Sequence, residues 1–149
     1  MFNRFAQFLL VVITVGVDQL LKYFFRYMPI GHENEKGDNT TLFLFDTLCN
    51  QGIAFGIKFN RVLIIFFTFF IIVLLLYLAE KVPRKWQDRV AIYLLVAGAL
   101  SNLIDRIFLG CVVDYLTIPY WPSFNLADAL IVCTVGYFVI QGWTKRKLV

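Results

Sequence analysis

Two aspartates stand alone among apolar neighbours. Asp114 lies in Cys111-Val112-Val113-Asp114-Tyr115-Leu116, and Asp128 in Phe124-Asn125-Leu126-Ala127-Asp128-Ala129-Leu130. Neither has a lysine or arginine close by in sequence. Burial raises a carboxyl pKa, and a second carboxylate nearby raises one of the pair further. Two such aspartates brought together share one proton. The ionised member acts as a base toward water while the protonated one polarises a carbonyl, as in aspartic proteases. Only residues 115–127 separate the two, so their meeting is geometrically easy. The bland alternative is that Asp128 caps a helix and Asp114 is an ordinary loop residue. Spacing alone leaves both readings open.

Other polar residues sit where they need explaining. Asp18 and Lys22 stand at i and i+4, share a helix face and can pair. Such a pair either makes an apolar span tolerable or orients a neighbouring group or a substrate. Gly98, Asn102, Asp105 and Arg106 form a stripe on one helix face. Gly98 in that stripe admits a second helix at close range. Asp105, beside Arg106, is expected at an exposed helix end as a local charge partner and is not chosen as catalytic.

These residues depend on the elements that carry them. A helix needs about 20 mostly apolar residues to cross a bilayer. Four segments qualify, at about 5–25, 62–79, 90–109 and 126–143. The first resembles a cleaved signal peptide in having Arg4 before an apolar run. Val15-Gly16-Val17-Asp18 is a poor cleavage site, however, and the apolar pattern continues, so a retained helix is expected. Asp18, Lys22, Asn50, Asn102, Asp105, Arg106, Asp114, Asn125 and Asp128 all fall at the same ends of the spans or just beyond. Costly ionisable groups at membrane depth face a protein interior or a wet cavity, so one polar site would collect them.

An even number of spans puts both ends of the sequence on one side. That side holds Arg4, Lys81, Arg84, Lys85, Arg89, Lys145, Arg146 and Lys147 against Glu80 and Asp88. Acids outnumber bases on the other. Excess lysine and arginine mark the cytoplasmic side. Trp86 and Trp143 then anchor the inner interface, and Tyr120 and Trp121 the outer one. Between the first two spans, Thr41–Ile57 is apolar and broken by Asn50, Gly52 and Gly56, which reads as short strands with turns on the outer surface. Val112–Ile118 is a second strand-like run that Pro119 ends. Met28–Thr40 is polar and carries no motif. The fold class expected is an all-α integral membrane protein of four transmembrane helices with a small extracytoplasmic β-like region. Residues 1–149 form one domain in this reading.

Composition agrees. Of 149 residues, 60% are hydrophobic, and the mean hydropathy is +0.73. That is too much apolar surface for one small core, and the excess must face lipid. The net charge of +4 reflects basic residues beside apolar spans, a topology signal rather than a nucleic-acid footprint. Three cysteines at irregular spacing do not make a disulfide framework. Cys49 and Cys111 are able to meet on one side of the membrane but are expected unpaired, and Cys133 is expected to be a small core residue. His32 is the sole histidine, so a cysteine–histidine pair or a zinc site is poorly supplied.

Five motifs in order carry a resemblance. They are Asp18-Gln19-Leu20-Leu21-Lys22, Asn50-Gln51-Gly52-Ile53-Ala54-Phe55, Gly98 through Arg106, Val112-Val113-Asp114-Tyr115, and Phe124-Asn125-Leu126-Ala127-Asp128. Nearly the whole chain resembles the bacterial lipoprotein signal peptidases, also called signal peptidase II. The resemblance implies that Asp114 and Asp128 are the catalytic pair. It implies supporting roles for Asp18, Lys22, Asn50, Gly98, Asn102, Arg106, Asn125 and Ala127. The implied substrate is a diacylglyceryl-modified prolipoprotein, cut on the amino side of the lipidated cysteine in the bacterial cytoplasmic membrane. The family is similar in needing no metal or other cofactor, and globomycin is its inhibitor. Gly52, Ala54 and Phe55 belong to a surface suited to hold an extended signal peptide by backbone hydrogen bonds. Arg106 would meet a lipid phosphate or pair with Asp105. Ser101 and Ile53 depart from residues common in the family, which would shift local packing without removing a catalytic group. The rival is a non-enzymatic transporter subunit or scaffold with a carboxylate ion relay. A relay places acids near the midplane of several helices, whereas here they cluster at one end.

Overall fold

A computed structural model of the chain describes residues 3–27, 47–53, 57, 59–81, 85–118 and 120–146, with side chains as far as 142. Its elements run α1 (Arg4–Tyr27), β1 (Leu48–Asn50), α2 (Arg61–Lys81), α3 (Trp86–Phe108), β2 (Val112–Asp114) and α4 (Leu126–Arg146). The expected segment Met28–Thr40, with His32, and the start of the strand-like run lie outside the described residues, as do Ala54, Phe55 and Pro119.

The first three helices are long and apolar enough to cross a membrane, and α4 is apolar over Leu126–Gly142. At 1.5 Å per residue, that stretch alone rises about 25 Å. Each helix runs a few residues past its apolar span. α3 starts at Trp86 and α4 reaches Arg146 because the flanking lysine, arginine and glutamine are good helix formers. Trp86 and Trp121 are exposed at opposite ends of the bundle. The Trp143 side chain lies outside the described residues.

Helix ends follow from their residues. Asn3 Oδ1 accepts the Ala6 N–H at 2.7 Å, and Asn60 Oδ1 accepts the Val62 N–H at 2.9 Å. Each amide oxygen satisfies a donor that the first helical turn leaves open. α3 stops at Gly110, whose φ of 82° suits a residue without Cβ.

α3 is the central helix and packs against the other three. It buries Ile92, Tyr93 and Val96 in an apolar core, completed by Leu103 and by Ile72 and Ala79 of α2. Most of α2 faces outward, with Phe66, Phe67, Phe69 and Phe70 all more than half exposed. A helix that is apolar all round and exposed in this way belongs in lipid. Cys133 follows the same logic: it is exposed on α4, not a core residue, because lipid accepts apolar side chains outside as readily as protein does inside.

β1 and β2 pair antiparallel, with Leu48 opposite Asp114, Cys49 opposite Val113 and Asn50 opposite Val112. The β-like region therefore joins the α1–α2 connection to the α3–α4 connection. That register brings the Cys49 and Cys111 Cα atoms to 5.5 Å, and the two form a disulfide, contrary to the expectation from cysteine count.

Candidate active site

Asn125 caps α4 from the residue before its first turn, and that turn assembles the site. Asn125 Oδ1 accepts the Asp128 N–H at 2.9 Å, and Asp128 Oδ2 accepts the Asn125 N–H at 3.3 Å. This reciprocal cap satisfies two donors at once. Asn125 is fully buried, and its Nδ2 donates to Asp114 Oδ1 at 2.8 Å. One asparagine thus contacts both aspartates, from its backbone and its side chain.

Each aspartate has a second amide partner. Asn50 Nδ2 on β1 donates to Asp114 Oδ2 at 3.1 Å. Asn102 Nδ2 on α3 donates to Asp128 Oδ1 at 2.7 Å. All four oxygens of the pair accept a hydrogen bond from an asparagine. Asp114 is 2% exposed, and its carboxyl is pushed up from 3.8 to about 7. Desolvation is the main cause, followed by the charge of Asp128; the Asn50 and Asn125 bonds and Lys22 oppose it. The neighbouring Tyr115 phenol is pushed up as well, chiefly by burial. It accepts the Leu126 N–H at 3.1 Å, and its ring stacks on Phe25.

Beneath the pair lies a buried ionic cluster. Lys22 Nζ meets Asp18 Oδ2 at 2.8 Å, Asp105 Oδ2 at 2.9 Å and Asn102 Oδ1 at 2.9 Å. Its three N–H donors have three acceptors. Asp18 also accepts from the Ser101 hydroxyl at 2.6 Å and from the Ala127 N–H at 3.0 Å, near the α4 N-terminus. Negative charge is favoured there. Asp18, Asp105, Asp114 and Asp128 face two cations, Lys22 and Arg106.

Asp105 differs from expectation. It is 1% exposed, and its partners are Lys22, the Gln19 amide at 2.8 Å and the Val113 N–H at 3.2 Å. Among the described residues, no ion pair joins it to Arg106. Asp105 and Asn102 occupy the inward side of α3, whereas Arg106 Nη2 reaches out to the Gly52 carbonyl at 3.1 Å. Gly52 in turn donates its N–H to Asn50 Oδ1 at 3.0 Å.

Close packing sets the distance between α3 and α4. A Cβ at Gly98 would lie 2.7 Å from the Ala127 carbonyl oxygen, and Ala127 is fully buried. Sequence reasoning missed Gln19, whose amide donates to Ser101 and Asp105, and undervalued Ser101 as a mere packing change. Their signal was present: Ser101 and Asp105 are four apart on the Gly98–Asn102 face.

A groove of about 360 Å³ opens beside the pair. Asp128, Asn50 and Arg106 supply its polar wall, and Ile53, Phe124 and Val132 are among its apolar residues. Asp114 is one hydrogen bond removed, behind Asn50. A peptide carbonyl and a water placed against Asp128 would meet an acid–base pair with an apolar surface alongside. Of the expected site residues, the structure brings together Asp18, Lys22, Asn50, Gly52, Gly98, Asn102, Arg106, Asp114, Asn125, Ala127 and Asp128.

The chain is similar to known proteins over nearly its whole length. The profile of the family described as signal peptidase (SPase) II matches residues 10–144. A lipoprotein signal peptidase of Bartonella henselae is 36% identical over 97% of this chain and 95% of its own. One of Clostridium novyi is 35% identical over 93% of this chain and 97% of its own. A solved bacterial membrane enzyme superposes with a TM-score of 0.83 at 28% identity, covering 96% of this chain and 90% of that one. The chain belongs to the signal peptidase II family.

Proposed function

We propose that the chain is a single-domain aspartic endopeptidase that removes signal peptides from diacylglyceryl-modified prolipoproteins, with Asp114 and Asp128 as the catalytic pair. The observation that carries this reading is one asparagine, Asn125, bonded to both carboxylates beside a partly apolar groove.

In this mechanism the pair holds one proton. The ionised aspartate takes a proton from water, which attacks the scissile carbonyl carbon. The protonated aspartate donates to the carbonyl oxygen, giving a tetrahedral intermediate. Collapse breaks the C–N bond, and the amine of the lipidated cysteine leaves with a proton returned by the pair. The two carboxylates titrate as a unit. Asn50, Asn102 and Asn125 hold them in place, and the Asp18–Lys22–Asp105 cluster holds Asn102.

The relatives are lipoprotein signal peptidases, which supports the substrate class. The groove's apolar wall suits acyl chains. β1 pairs with β2 on one edge only among the described residues, which leaves an edge for an extended peptide running past Gly52. The basic bias of one side supports cytoplasmic ends and an extracytoplasmic site in the bacterial cytoplasmic membrane, and a disulfide beside the site agrees with an oxidising compartment. Globomycin is expected to inhibit.

The test is cleavage of a diacylglyceryl-modified prolipoprotein and its unlipidated form by purified wild type, Asp114→Asn and Asp128→Asn. The expected result is a cut before the lipidated cysteine only, lost by at least about 10³-fold in each variant. Full activity in either variant removes that residue from the mechanism. A folded wild type that cuts nothing defeats the proposal.

A further inference from the structure

β1 is only three residues long, and its packing runs through β2, itself three residues. A two-stranded sheet that short is marginal on its own. Yet β1 carries Asn50, the donor to Asp114 Oδ2, and leads into Gly52, which holds Arg106. The Cys49–Cys111 disulfide lies immediately beside this arrangement: Cys49 precedes Asn50, and Cys111 precedes Val112, the residue opposite Asn50. Cys111 is buried at 5% exposure, so the bond ties exposed β1 to the protein interior.

We propose that the Cys49–Cys111 disulfide is a positioning device of the active site, clamping Asn50 against Asp114, so that cleavage by this chain depends on the oxidised state of the two cysteines. The inference rests on Asp114 being a catalytic carboxylate. Closing the bond takes two electrons and two protons from the thiols. A thiol oxidoreductase carrying its own disulfide accepts both and becomes a dithiol. Dithiothreitol reverses the exchange and ends as its cyclic disulfide.

Reduction removes no catalytic group and leaves the helices in place. It frees β1, and Asn50 then spends less time bonded to Asp114. That bond favours the ionised carboxylate. Among the described residues, the charged groups packed around Asp114 are Asp18 and Lys22 from α1, Asp105 and Arg106 from α3 and Asp128 from α4. None belongs to β1, but reduction frees two titratable thiols in and beside it, so the pH profile of Cys49→Ala/Cys111→Ala, which lacks them, is the one that reports Asn50.

The experiment uses the full chain in detergent with a diacylglyceryl-modified prolipoprotein peptide. Thiols are first counted by alkylation and mass; the purified protein should expose one, Cys133, and three after dithiothreitol. Cleavage is then followed against pH for wild type with and without dithiothreitol, and for Cys49→Ala/Cys111→Ala and Cys133→Ser. Reduced wild type and the double variant should lose roughly tenfold or more in kcat/KM, with the basic limb moved to higher pH. Cys133→Ser should match wild type. In an Asn50→Ala background, breaking the disulfide should change kcat/KM by less than about twofold, because the residue it positions is gone. Three free thiols in the untreated protein, an unchanged profile on reduction, or an undiminished loss in Asn50→Ala each overturn the proposal. Absence of cleavage by oxidised wild type defeats the peptidase reading instead.

Discussion

Lys22 on α1 and Asp105 on α3 meet at 2.9 Å with side chains 3% and 1% exposed. They are far apart in sequence, and neither touches the aspartates of the proposed pair directly. Their effect passes through Asn102, whose Oδ1 accepts from Lys22 and whose Nδ2 donates to Asp128. The lysine fixes which way the amide points, because an ammonium donates only. Asn102 therefore presents N–H to Asp128.

Lys22→Met should destabilise strongly. It leaves Asp18 and Asp105 buried without their shared cation, and breaking a buried pair costs about 3–5 kcal/mol. The unfolding midpoint in detergent should fall by roughly 10 °C. Asp105→Asn should cost less, since Lys22 keeps Asp18 and Asn102, and it should impair cleavage less than a change at Asp114 or Asp128. A midpoint for Lys22→Met within about 2 °C of wild type would mean the cluster contributes little to stability.

What could be read beforehand divides along physical lines. The spans were legible because bilayer thickness dictates apolar length, and Asp114, Asn125 and Asp128 because polar residues among apolar ones demand partners. Asp18–Lys22 was legible because i, i+4 spacing is local. Asp105 was misread as exposed, since its burial depends on how α1 and α3 are rotated against each other. Cys133 was misread because in lipid an apolar stretch no longer tells inside from outside. The Cys49–Cys111 pairing needed the β1–β2 register, which connects segments on either side of α2 and α3.

The raised Asp114 carboxyl makes stability depend on pH. Its folded value of about 7 lies above the ordinary 3.8. Between those values the folded protein keeps a proton that the unfolded chain has released. Its stabilising contribution is complete below the unfolded value and is lost as pH rises through the folded one. Wild type should therefore lose thermal stability from about pH 4 to 7, and Asp114→Asn should show a flatter profile. Parallel profiles for the two proteins would contradict the raised carboxyl.

Asn125 has separable duties. Its Oδ1 caps α4, and its Nδ2 donates to Asp114. Asn125→Ala removes both and should cost about 0.5–2 kcal/mol from the cap alone. Asn125→Ser restores a capping oxygen but is too short to reproduce the amide fork. Serine should recover much of the lost unfolding temperature while cleavage stays depressed. Equal recovery of temperature and activity would show that Asn125 matters only as a cap.

Gly98 tests whether helix spacing reaches the chemistry. It makes no polar side-chain contact, yet an added Cβ would lie 2.7 Å from the Ala127 carbonyl oxygen and 3.0 Å from Ile131 Cγ1. The nearer atom is backbone, so no rotamer change relieves the clash and α4 must move. Overpacking of this kind costs about 1–3 kcal/mol. Movement of α4 also lengthens the 2.7 Å Asn102–Asp128 bond and the 3.0 Å bond from Ala127 N–H to Asp18. Gly98→Ala should therefore lower kcat by roughly 10- to 100-fold, beyond its effect on folding. The measurement is kcat at a temperature well below the variant's own unfolding midpoint, so that all molecules are folded. Wild-type kcat under those conditions would mean that α3 and α4 absorb the methyl without disturbing Asp128.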